Sequence, residues 1–499
     1  MTHLEALAKA EQYQSKMAKI AKKSYWKPQY HISAPANWIN DPNGFCYFNG
    51  EYHVFYQYHP YSSQWGPMHW GHVASKDLVN WKTKPIALAP TDEYDRDGCF
   101  SGSAIEKDNT LYLFYTGHVV LDKENDKDDA QLQTQCVAIS EDGINFKKLE
   151  NNPIINIDSF PEDLNILKEH FRDPKVWKYN DMYYKVVGAQ TTEKTGQALI
   201  YKSEDLLNWE FVNVMAMSTE EENLGFMWEC PNFAEIDNHE VLILSPQGVE
   251  PEGNKFLNLH QSGYFLGKMD YNTGVFEREN NFEILDYGFD FYAPQSMLTP
   301  DGRRVMIAWM QAWPNSKFVP DGVKYFGQMT LPREINYRNG KLIQQPVREI
   351  ENYRGEYVHY ENVEISDETV LNGVDGRVLD MTVKLKVTDA FKKFTIKLAA
   401  DETYDSTITY DPVREVLSLD RSRSGYMYDI LHTRDIQVKP AGGEVTLRIL
   451  MDRFSVEIFI NDGSQTATMV LFTPQEADNI SFAADGKAQI SVDKYALTF

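Results

Sequence analysis

Ser75-Lys76-Asp77-Leu78-Val79-Asn80-Trp81 is met twice more along this chain, as Ser140-Glu141-Asp142-Gly143-Ile144-Asn145-Phe146 and as Ser203-Glu204-Asp205-Leu206-Leu207-Asn208-Trp209. Each copy ends an alternating segment with a serine–aspartate turn, then offers an aromatic ring to pack beneath the next strand. A second series interleaves with the first. Aromatic and β-branched segments at 51–58, 110–116, 182–189, 240–245 and 304–311 follow Asn49-Gly50, Asp108-Asn109, Asn180-Asp181, Asp237-Asn238 and Asp301-Gly302. Such dipeptides adopt the backbone angles that tight hairpins need. Strand-turn-strand units returning at roughly sixty-residue intervals predict five four-stranded blades around an axis. One blade alone leaves apolar faces bare, so the ring has to close.

The strand before each hairpin is read as the innermost of its blade. Traced back to their starts, these strands open on Asp41-Pro42-Asn43-Gly44, Phe100-Ser101-Gly102-Ser103, Arg172-Asp173-Pro174, Glu229-Cys230-Pro231-Asn232 and Tyr292-Ala293-Pro294-Gln295. Inner strands of a propeller run parallel beside the axis, so equivalent ends converge on one funnel. Asp41, Asp173 and Glu229 are therefore expected to face one another across a small gap. Locally, Asn40 to Gly44 reads as a tight turn that holds Asp41 at the mouth of a strand over 45–48.

Past Pro346 the pattern changes. A charged segment over 347–356 reads as a short helical linker. From Tyr357 to Phe499, short alternating segments such as 378–387, 394–398 and 444–460 are separated by turns such as Asn461-Asp462-Gly463. That spacing predicts a β-sandwich. At the other end, Leu4, Leu7, Tyr13, Met17 and Ile20 recur at helical spacing, which predicts an amphipathic helix within an extension over residues 1–27. The propeller then occupies 28–346, and the fold class is all-β apart from that helix.

A net charge of −24 over 499 residues speaks against nucleic-acid or anionic-membrane partners. Mean hydropathy of −0.49 and the lack of a long apolar run exclude a membrane-spanning helix. The first residues lack the apolar core and small-residue cleavage site of a secretory leader. Four scattered cysteines form neither a zinc pair nor a disulfide framework. The expectation is a cytoplasmic protein without metal or cofactor, for no phosphate loop or dinucleotide fingerprint is present. The acidic run 122–130 reads as a solvated loop without a role.

Two carboxylates flanking a bond are what glycoside hydrolysis requires, and a third can steady an oxocarbenium-like centre. Arg172 beside Asp173 is expected to keep that aspartate ionised. Glu229 is expected to have a raised pKa, as a general acid needs, through the charge on Asp41. Cys230 follows Glu229 and either tunes its proton or packs inertly. Trp65, Trp70, Trp228, Trp309 and Phe100 are candidates for apolar walls around a sugar ring.

The segments W-I-N-D-P-N-G (38–44), F-S-G-S (100–103), F-R-D-P (171–174), W-E-C-P (228–231) and F-Y-A-P-Q (291–295) resemble the signatures of glycoside hydrolase family 32. The run from Asp452 to Phe459, with Asn461-Asp462-Gly463, resembles that family's C-terminal sandwich. The resemblance implies a five-bladed propeller plus β-sandwich and a small-molecule fructoside as substrate. It assigns Asp41 as nucleophile, Glu229 as acid/base and Asp173 as transition-state stabiliser. It places Trp38, Asn40, Gln57, Trp65, Phe100, Ser101, Arg172, Tyr292 and Trp309 around the fructose. Some members carry an acid two residues before the catalytic glutamate; here that place is Met227.

Sucrose 6-phosphate is the first expectation for the substrate, with invertase or fructo-oligosaccharide hydrolase activity as alternatives. Its phosphate would want a Lys or Arg at the rim of the pocket. A transfructosylase, a propeller sialidase and a fructan-binding module without catalysis are the rival readings. The sialidase would need a tyrosine nucleophile and several arginines on inner strands, where Arg172 stands alone. A homodimer through the sandwich fits the pattern, although no motif demands one.

Overall fold

The computed structural model describes residues 1–122, 130–156, 160–161, 164–313, 324–425 and 432–499. Most of the acidic run 122–130 lies outside them. Five antiparallel sheets succeed one another along the chain, each starting with its inner strand. Blade I comprises Asn37–Phe48, Glu51–His59, His69–Ser75 and Lys82–Thr83; blade II comprises Gly98–Lys107, Thr110–Val120, Gln131–Ser140 and Lys147–Lys148. Blade III holds Ile166–Tyr179, Met182–Thr191, Gly196–Ser203 and Glu210–Met217. Blade IV holds Met227–Ile236, His239–Gln247, Gly263–Asp270 and Val275–Arg278, with Glu283–Ile284 beside its third strand. Blade V holds Tyr292–Leu298, Arg304–Trp309, Arg333–Arg338 and Lys341–Pro346.

Each inner strand packs on the next, and the fifth packs on the first, which closes the wheel. Tyr325–Phe326, reached from blade V, pairs in parallel with Asn37 and Trp38 of blade I and so ties the two ends together. The repeated serine–aspartate motif makes the turn after the third strand of blades I to III. Asp77 Oδ1 accepts the amides of Val79 and Asn80 at 3.1 and 2.8 Å, and Asp142 and Asp205 repeat the pattern. In Asn49-Gly50, Asp108-Asn109 and Asp237-Asn238 both hairpin residues have positive φ, as their chemistry predicts.

The expected linker over 347–356 is a 3-10 helix, Arg348–Tyr353, and the next strand already begins at Arg354. The sandwich packs a six-stranded sheet on a five-stranded one around a core that includes Met381, Ile396, Leu419, Ile449 and Phe482. The amphipathic helix runs His3–Ala21, opened by a capping box between Thr2 and Glu5. Its buried face differs from the expected one. Ala6, Ala10, Gln14 and Ala21 are covered, while Leu4, Tyr13 and Ile20 are exposed. Alanines let the helix lie close on blade I, where Glu11 accepts the amide of Ile86 and His3 that of Ala89.

A buried ionic cluster bolts the sandwich to the propeller. His31 Nδ1 lies 2.9 Å from Asp452 and Nε2 2.8 Å from Glu457, and Glu457 also pairs with Arg333 at 2.6 Å. Burial opposes a charge on His31, but the two carboxylates outweigh it and raise its pKa from 6.5 to about 9. Because the folded value exceeds the unfolded one, this contribution is complete below pH 6.5 and is lost as pH climbs through about 9. It is worth on the order of 3 kcal/mol. Urea midpoints should therefore fall between about pH 7 and pH 10, and the slope should flatten in His31→Asn. An identical slope in the variant would remove His31 as the cause.

Candidate active site

Every inner strand carries one extra residue at the same height. The pairing slips between Ile39 and Pro42, Phe100 and Gly102, Arg172 and Lys175, Glu229 and Asn232, and Tyr292 and Gln295. Asp41 thus sits in a β-bulge inside the continuous strand Asn37–Phe48, not in a turn ahead of a strand. Bulges re-aim side chains, which is why they recur beside active sites. Asp173, Cys230 and Ala293 take φ of 68°, 48° and 52° there. The following prolines have no amide to donate, and a bulge on an inner edge tolerates that. Blade II has Gly102 in the proline place; a Cβ on it would come 1.8 Å from the carbonyl oxygen of Phe114.

Aligned on those prolines, Asn40, Arg172, Glu229 and Tyr292 share one position, and Asp41, Asp173, Cys230 and Ala293 share the next. Phe100 and Ser101 are the blade II counterparts. Ser101 Oγ donates to Asp41 at 2.7 Å. The Cys230 amide donates to Asp173 at 3.0 Å. Its thiol reaches Asp173 at 3.5 Å and Asp41 at 3.9 Å, so this cysteine touches both aspartates. Arg172 Nε donates to Glu229 Oε1 at 2.9 Å, and Tyr292 donates to Oε2 at 2.5 Å.

The electrostatics differ from the sequence expectation because Arg172 pairs with Glu229 and not with its neighbour Asp173. Burial raises Glu229, yet Arg172 and the Tyr292 hydroxyl outweigh it and hold the carboxyl below its usual range. Asp173 is pushed up to about 7 by burial and by Glu229, against the pull of Arg172. Asp41 rises to about 6 through burial and Glu229. Three buried carboxylates share one guanidinium, so near neutrality the free protein retains a proton among them, held on the aspartates.

These groups line a cavity of about 840 Å³ at the end of the propeller axis. Of the predicted residues, Asn40, Gln57, Trp65, Phe100, Ser101, Arg172 and Tyr292 join the three carboxylates in its wall. Trp38 and Trp309 do not; both are fully buried behind it, as are Trp70 and Trp228. Trp38 acts one step back, donating from Nε1 to Asn40 Oδ1 at 2.7 Å. Trp313 lines the cavity in their place. Sequence reading also missed His118, Gln133, His170, Lys194 and His260. His118 stacks on Phe100 at 4.0 Å, and Gln133 accepts from Arg172 at 3.3 Å. Gln133 and Lys194 lie outside the bulges, on the third strand of blade II and on a rim turn, so the repeat could not point to them.

A wheel of β-blades with paired acids at its hub is the architecture of a carboxylate glycosidase. Residues 31–346 match the glycosyl hydrolases family 32 N-terminal domain and residues 349–497 match the family 32 C-terminal domain. The chain belongs to glycosyl hydrolase family 32. It is 40% identical over 470 residues to a sucrose-6-phosphate hydrolase of Zymomonas mobilis, covering 91% of this chain and 88% of that one. It is 39% identical over 473 residues to a raffinose invertase of Escherichia coli, covering 93% of each. Among solved structures, a Bombyx mori family 32 β-fructofuranosidase superposes with a TM-score of 0.86 at 33% identity, over 99% of both chains. A sucrose-6-phosphate hydrolase of Lactobacillus gasseri gives 0.85 at 30% identity, over 98% of this chain and 96% of that one.

Proposed function

We propose that this chain is a retaining β-fructofuranosidase acting on sucrose 6-phosphate and sucrose. The observation that carries the reading is the convergence of Asp41, Asp173 and Glu229 on one cavity, with Glu229 gripped by Arg172 and Tyr292. The names of its relatives and a Bombyx mori variant solved with sucrose support the substrate class.

In the reaction, Asp41 attacks C2 of the terminal fructofuranosyl unit while Glu229 gives its proton to the departing glycosidic oxygen. The C2–O bond breaks and a fructosyl ester forms on Asp41. Water then attacks C2, Glu229 takes its proton, and the ester is released as fructose. Asp173 accepts ring hydroxyls and faces the developing positive charge. Hydroxyls donating to Asp173 favour its ionised form, which moves the shared proton to Glu229 when substrate is bound. Tyr292 is no rival nucleophile: burial and the neighbouring Glu229 push its phenol well above the ordinary range. Arg172 is the sole arginine in the cavity wall among the described residues, against the cluster a sialidase needs.

The working place we propose is the cytoplasm. Four buried, unpaired cysteines suit a reducing compartment. Hydrolysis in dilute methanol tests the route, since double displacement must yield methyl β-fructofuranoside. The α-anomer would sink retention, and no hydrolysis of either fructoside would sink the activity.

A further inference from the structure

Asn40, Gln57, Phe100 and Ser101, from blades I and II, surround the nucleophile and hence the fructosyl ring. Asp173 reaches the same ring from blade III, and the leaving sugar lies on the side of the scissile bond that Glu229 protonates, where Glu169, His170 and Lys194 complete the wall. Among the described lining residues Arg172 and Lys194 are the only Lys or Arg side chains, and Arg172 is committed to Glu229. Lys194 stands on the turn between the second and third strands of blade III. That turn is fixed by Lys194 N donating to Thr191 O at 2.9 Å and Thr192 N donating to Asn165 O at 3.0 Å. The Lys194 side chain is exposed to the cavity and makes no ion pair with any described residue.

His170 lines the same cavity from the inner strand of the same blade. Its Nδ1 lies 3.0 Å from Arg172 Nη1. A guanidinium only donates, so Nδ1 accepts and the ring proton sits on Nε2. The imidazole therefore has one N–H left to donate, in the same cavity wall as the Lys194 ammonium.

We propose that Lys194 and His170 form the seat for a phosphate monoester on the leaving sugar, and that Lys194 sets the preference for phosphorylated over neutral disaccharide. This rests on the fructosidase reading above. A chain of net charge −24 repels a dianionic substrate at long range, so recognition has to come from a local cation. Ammonium–phosphate and imidazole–phosphate contacts are charge-assisted and among the stronger hydrogen bonds. Glu169 also lines this wall and opposes the anion, which keeps the preference to tens of fold.

The test compares kcat/KM for sucrose 6-phosphate and for sucrose in the wild type, Lys194→Ala and Lys194→Arg. The wild type should prefer the phosphorylated sugar. In Lys194→Ala that preference ratio should drop about 10- to 100-fold, and Lys194→Arg should recover most of it. Glucose 6-phosphate as a product inhibitor should lose affinity in parallel, while glucose should not. A wild type indifferent to the phosphate, or an unchanged ratio in Lys194→Ala, overturns the seat and leaves the fructosidase reading standing. Failure to cleave either sugar overturns that reading itself.

Discussion

Asp41→Asn should yield a folded protein whose sucrose turnover is lower by about four to five orders of magnitude. The substitution keeps size and shape, and the amide can still accept from Ser101, which donates to Asp41 at 2.7 Å. What disappears is the anion that forms the covalent bond. The residual rate then comes from binding and from Glu229 alone. Glu229→Gln should fall as far on sucrose, but less on an aryl fructoside whose leaving group needs no proton. Initial rates by reducing-sugar release, with thermal melts to verify folding, decide the matter. An Asp41→Asn protein within tenfold of wild type would remove this aspartate as nucleophile.

The same residue sets an acid limb in the wild type. Burial and Glu229 lift Asp41 to about 6, so its nucleophilic form is lost as pH drops through that value. The raised pKa works against stability as well. An aspartate whose folded pKa exceeds its unfolded one favours folding only while protonated, which is a cost at neutral pH. Catalytic clusters are where such costs are tolerated.

Periodicity made the wheel legible, because identical turn chemistry recurs wherever a blade ends: Asp77, Asp142 and Asp205 cap amides in the same way. Three carboxylates were legible for the same reason, each lying where the repeat starts an inner strand, with Glu229 one residue ahead of the place that Asp41 and Asp173 share. The bulge that aims them was not. Asn-Asp-Pro-Asn-Gly carries turn residues, and turn and bulge demand the same unusual backbone angles, so the local sequence does not distinguish them. Charge pairing was also hidden: Arg172 adjoins Asp173 in sequence, but side chains of neighbouring residues diverge, and its guanidinium crosses to blade IV. Trp38 and Trp309 stand behind the cavity wall, not in it, because an aromatic on a blade serves the core as readily as the cavity.

Loss of the Arg333 guanidinium should be the most damaging change away from the cavity. Arg333 is fully buried and donates to Glu457 at 2.6 Å, to Asp286 at 3.0 Å and to Thr468 at 2.7 Å. Arg333→Ala strands two buried carboxylates and opens a void, and such breaks cost about 3–5 kcal/mol. Denaturant unfolding should register that loss. Arg333→Met combined with Glu457→Gln should recover part of it, since fewer charges are then left uncompensated. The damage should also reach catalysis. Asp286 anchors to Thr468 at 2.6 Å and Asp290 to Arg421 at 2.5 Å, so the segment leading into Tyr292 is stapled to the sandwich at both points. Tyr292 in turn holds Glu229. Arg333→Ala, assayed well below its melting temperature, should therefore show a lowered kcat. A variant within about 1 kcal/mol of wild type, with unaltered kcat, would mean that the sandwich neither bolts the wheel nor steadies the acid.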